Sequence, residues 1–112
     1  MSQPAIDLVH LARQTGGDLA LERELLALFS QQCVRHLRTI HNGADETARM
    51  EAAHTLKGAA QAIGAWQVAE AAARIEQRLL GRGARVAEVE MDALALAAAE
   101  ARAAISRFDA AA

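Results

Sequence analysis

Apolar residues recur at spacings of three and four along four long stretches of this chain, and short glycine-containing breaks separate the stretches. That period belongs to a helix with one buried face, and no stretch shows the alternation a half-buried strand needs. Leu26, Phe29, Cys33, Leu37 and Ile40 form one such stripe, and Ala52, Leu56, Ala59, Ala60 and Ile63 a second. Val68, Ala71, Ala72, Ile75 and Leu79 form a third, and Met91, Leu94, Ala98, Ala101 and Ile105 a fourth. Alanine supplies 29 of the 112 residues and proline only one, which favours helix over strand at nearly every step.

The punctuation predicts a short first helix from about Ile6 to Gln14, ended by Gly16-Gly17. A second helix, capped by Asp18, runs to about His41 and stops at Asn42-Gly43. The third, capped by Asp45, runs to Ile63 before Gly64, and the fourth spans about Trp66 to Leu80 before Gly81-Arg82-Gly83. The fifth runs from about Glu88 to Phe108. Short loops between long helices make neighbours antiparallel. The expected fold is all-α: an up-down-up-down four-helix bundle with a short additional N-terminal helix, as a single domain over residues 1–112.

Charge and residue usage exclude several classes of function. A net charge of −2 is the wrong sign for a nucleic-acid binder, which needs a concentrated excess of Lys and Arg. No apolar run reaches membrane-spanning length, and the first ten residues lack a secretory pattern, so a cytoplasmic protein is expected. Cys33 has no partner for a disulfide, and Phe29, Trp66 and Phe108 are the only aromatics, so stacking platforms are nearly absent. There is no Gly-rich phosphate loop and no acidic cluster for Mg²⁺, which argues against a kinase or ATP-binding activity.

Four histidines remain as candidates for chemistry. His10, His36 and His41 read as surface or boundary residues, and Cys33 with His36 supplies too few ligands for a metal site. Glu51-x-x-His54 has the spacing used by di-iron bundles, but it occurs once and faces away from the bundle interior. No metal and no cofactor is therefore expected on this chain.

His54 is set apart by its face. At about 100° per residue it lies about 160° from Leu56, so it points at solvent with Thr47, Glu51, Gly58 and Gln61 beside it. Lys57, one turn along, is the only lysine in a chain with eleven arginines, and an ammonium meets a phosphoryl group as a compact point charge. Gly58 costs a helix interior about 1 kcal/mol relative to alanine, which implies that the space above it is wanted empty.

The stretch Ala53-His54-Thr55-Leu56-Lys57-Gly58, followed by Gly64-Ala65, resembles the signature of histidine-containing phosphotransfer (HPt) domains. The segments Gly16-Gly17-Asp18 and Glu24-Leu25-Leu26-Ala27-Leu28-Phe29, and Asp45 ahead of the histidine helix, extend the resemblance over nearly the whole chain. It implies that His54 accepts a phosphoryl group from an aspartyl phosphate on one receiver domain and passes it to an aspartate on another. Lys57 would then balance the phosphoryl charge, Gly58 would admit the receiver surface, and Gln61 would contact it. Glu76 would hydrogen-bond and orient the imidazole, although an ion pair of Glu76 with Arg78 or Arg82 is an alternative reading. The arginines Arg74, Arg78, Arg82 and Arg85 suit the dipole at the end of the fourth helix, and steering of an acidic receiver pocket is the second reading of the same row.

The implied partners are response-regulator receiver domains and a hybrid or sensor histidine kinase, with Mg²⁺ on the receiver and this chain a monomer. The competing reading is a helical adaptor or dimerisation module, in which His54 would have no special role.

Overall fold

Three aspartates begin three of the helices. In the computed structural model, which describes residues 3–43, 45–81 and 85–111, Asp7 caps α1 (Leu8–Thr15), Asp18 caps α2 (Leu19–Asn42) and Asp45 caps α3 (Glu46–Ile63). Their side chains accept from the backbone N–H of His10, Leu21 and Thr47, which would otherwise lack partners. Helix α4 (Trp66–Leu80) follows a turn of only two residues, Gly64-Ala65. Helix α5 (Glu88–Ala111) begins where the Glu90 side chain reaches back to the N–H of Ala87 at 3.1 Å and also accepts from Arg78 of α4.

Helix α2 packs against α3 and α5, and α4 packs against the same two, so the four long helices form a closed ring with α3 and α5 on its diagonal. Helix α1 lies over one end, touching α2 and α3. The chain is all-helical among the described residues, as its periodicity requires. Large side chains alternate with alanines in the core: Phe29, Leu26, Ile40, Leu56, Ile75 and Leu94 are fully buried, beside Ala53, Ala60, Ala72 and Ala101. Each buried large side chain contributes about 1.5–3 kcal/mol, and the alanines let the helix backbones approach closely.

Several boundaries differ from the sequence reading by a few residues. The first helix begins at Leu8, not Ile6, because Asp7 takes the cap position and leaves Ile6 outside, buried against the core. The fifth helix continues past Phe108 to Ala111 through Asp109-Ala110, where no residue stops it. Asn42 forms the last helical residue of α2 rather than part of its stop. Leu37, Ala59, Leu79 and Met91 sit at the edge of the core and are partly buried. Arg82 and Gly83, read as part of the stop after the fourth helix, lie outside the described residues.

Asp7 also fixes how α1 sits. Its Oδ1 caps the helix, its Oδ2 accepts from Trp66 Nε1 at 3.0 Å, and its backbone N–H donates to the Gly64 carbonyl at 2.9 Å. The Trp66 bond first, and then the His10 backbone N–H, hold Asp7's carboxyl below its ordinary value against the effect of burial, and the half-buried His10 ring packs edge-on to Trp66. At the other end of α1, Thr15 donates its hydroxyl to the buried Glu22 of α2 at 3.0 Å.

Gly64 makes this docking possible. It has φ +82°, and a Cβ there would lie 2.9 Å from the Asp7 carbonyl oxygen. Gly64→Ala is therefore expected to destabilise the protein by about 1–2 kcal/mol for the left-handed backbone alone, and by more as α1 is displaced. Urea unfolding followed by circular dichroism measures the loss.

Candidate functional site

His54 sits two turns into α3 on the face turned away from the core, and 67% of its side chain is exposed. The neighbouring helix supplies its one side-chain bond among the described residues. Glu76 of α4 places Oε2 at 2.5 Å from Nδ1 of His54 and Oε1 at 2.6 Å from Nζ of Lys57. One carboxylate thus holds both residues, although its own side chain is only 11% exposed.

The electrostatics fix the direction of the imidazole bond. The Lys57 ammonium first, and then His54, hold the Glu76 carboxyl below its ordinary 4.5, against the opposing effect of burial. An ionised carboxylate only accepts hydrogen bonds, so Nδ1 of His54 carries the proton and donates it. The lone pair is then on Nε2, the nitrogen left without a protein partner among the described residues.

Lys57, one turn along α3 from His54, is held by the same carboxylate. Its ammonium reaches across to α4 and is only 26% exposed. Gly58, one residue on, is exposed, and a Cβ built there would meet nothing within 4 Å. Internal packing therefore gives no reason for glycine at this position. Gln61, one turn further, is exposed on the same face. A shallow depression of about 450 Å³ lies beside the histidine, walled by Met50, Glu51, Thr55 and Leu80. Met50 and Leu80 were missed in the sequence reading, yet each is one helical turn from a site residue, His54 and Glu76 respectively.

The alternative partner of Glu76 is engaged elsewhere. Arg78 donates to Glu90 at 3.1 Å across the α4–α5 contact, and Arg82 lies outside the described residues. Arg74 and Arg85 are exposed. His36 is half-buried, with its pKa lowered by burial, and His41 is exposed near the end of α2. Burial pushes the Cys33 thiol up to about 11, the behaviour of an inert core residue. Among the described residues no group of three or more His, Cys, Asp or Glu side chains is placed to hold a metal ion, and no helix is long and apolar enough to cross a membrane.

A helical bundle that braces an exposed histidine from behind with a buried carboxylate, and leaves one ring nitrogen outward, presents a nucleophile on an open surface instead of enclosing a substrate. Residues 24–111 match the Hpt domain family, and the chain belongs to that family. Hpt domains serve histidine phosphotransfer in two-component systems and work with receiver domains and kinases. No curated protein and no solved structure matches the chain.

The shared carboxylate makes the site's pH dependence predictable. A carboxyl with a depressed folded value contributes stability above its ordinary value and loses it as pH falls through the depressed one. The His54–Glu76 contact should therefore persist through neutral and mildly acidic pH and break below 4.5. Lys57→Met removes the largest cause and should move the Glu76 titration upward, as followed by carboxyl ¹³C NMR.

Proposed function

We propose that His54 is the phosphoacceptor of a multistep phosphorelay and carries a phosphoryl group between aspartates of receiver domains in the cytoplasm. The observation that carries this reading is the outward Nε2, without a partner among the described residues, of an imidazole whose Nδ1–H is held by Glu76. The Nε2 lone pair attacks the phosphorus of an aspartyl phosphate, the P–O bond breaks, and the receiver's aspartate leaves as a carboxylate. The ring keeps its Nδ1 proton and becomes a phosphoimidazolium, whose positive charge lies against the Glu76 carboxylate. In the reverse direction that charged ring is a good leaving group, so one arrangement serves both acceptance and donation.

Lys57 uses one of its three N–H donors on Glu76, leaving two to turn toward the phosphoryl oxygens. Gly58 gives the receiver surface room to approach, and Gln61 is placed to touch it. Mg²⁺ belongs to the receiver, and this chain supplies the nucleophile and part of the electrostatics, without a cofactor or ATP site of its own.

The test incubates the protein with phosphorylated receiver domains and Mg²⁺ and follows acid-labile, base-stable phosphate on the chain. Label on the wild type and none on His54→Gln is expected. Label on both would move the site to His10, His36 or His41, and label on neither across a broad receiver panel would favour the helical adaptor. Gly58→Ala separates stability from function. It should raise stability by about 1 kcal/mol, as alanine does in an exposed helix interior, while slowing transfer several-fold; unchanged transfer would remove Gly58 from the docking surface.

A further inference from the structure

A second concave feature lies away from His54. The start of α1, the first half of α2 and the end of α5 line a half-open cavity of about 340 Å³, within the range of small-molecule sites. Ile6, Leu26 and Ile105 form its buried floor, Phe108 lines it, and Leu8, half-exposed, lies at its solvent side. The one charged lining residue is Arg107, which is exposed and makes no ion pair among the described residues. Ile6 and Leu8 precede the segment matched by the family, so the cavity is not a feature that membership supplies.

We propose that this cavity binds the free anion of a medium-chain carboxylic acid, with the alkyl chain on the apolar floor and the carboxylate on the Arg107 guanidinium. The shape and charge select this class. The volume suits a single aliphatic chain and is too small for the face of a partner helix. The walls offer a polar headgroup no other charged partner, and a planar guanidinium pairs a carboxylate through two parallel hydrogen bonds. A dianionic phosphate would keep an uncompensated charge beside apolar walls. Binding would also cover Leu8, which water now reaches.

The proposal stands apart from the phosphotransfer reading. Among the described residues α5 does not pack against α3, and no residue lining the cavity lines the depression beside His54, so their tests separate.

Decanoate, titrated into the ¹⁵N-labelled full chain below its micelle-forming concentration, should give saturable shifts confined to the amides of Ile6, Leu26, Ile105, Phe108 and their neighbours. Decanamide, the neutral analogue, and the Arg107→Gln variant should each bind several-fold more weakly. Ala104→Phe, which fills the cavity from its α5 wall, should abolish binding. Should that variant lose its fold, the exposed Arg107→Gln still decides the charge requirement. Absence of saturable shifts, equal binding of decanamide, an unaltered Arg107→Gln, or shifts with anionic phospholipid vesicles but none with decanoate would overturn the proposal.

Discussion

The site depends on one carboxylate that is almost out of reach of water. Glu76 accepts from His54 on one oxygen and from Lys57 on the other, so a single acidic side chain on α4 sets the tautomer of a histidine and the position of an ammonium on α3. Burial by itself pushes the Glu76 carboxyl upward. The Lys57 ammonium outweighs it, so Glu76 stays an acceptor, which is what the histidine needs. Lys57 therefore acts on the histidine through the carboxylate that the two residues share.

The scaffold serves this arrangement by bringing α3 and α4 close together. Ala52, Ala53 and Ala60 on α3 and Ala69, Ala71 and Ala72 on α4 are buried, and small side chains shorten the distance that Glu76 must span. The two-residue turn at Gly64-Ala65 then fixes the helical register. Gly64 ends α3 in a left-handed conformation while its carbonyl receives the N–H of Asp7, so the element that sets the α3–α4 register also anchors α1. Gly58 differs from Gly64 in kind: internal geometry demands one, and nothing inside the protein demands the other.

Much of the fold could be read from the sequence because its signals are local. The caps Asp18 and Asp45, the bounds Trp66 and Leu80, and the face of His54 all follow from helical spacing and from side-chain bonds within one turn. What could not be read depends on contacts far apart in sequence. Asp7 caps its helix while bonded to Trp66, 59 residues away, and this dual role moves the start of α1 past Ile6. The sequence left Glu76 between His54 and the arginines. The structure pairs it with His54 and Lys57 because Arg78 points to α5 and binds Glu90. The reach of Lys57 to α4 was equally hidden, since an i+3 spacing says which residues are neighbours on one helix and nothing about a carboxylate on the next.

The most direct test of the central claim is the state of the His54 ring nitrogens, read by long-range ¹H–¹⁵N NMR before and after phosphorylation by a receiver. The account predicts a proton on Nδ1 in the free protein and the phosphoryl group on Nε2 in the product, with Glu76→Ala abolishing the single-tautomer signal. A free protein protonated on Nε2, or a product phosphorylated on Nδ1, would contradict it.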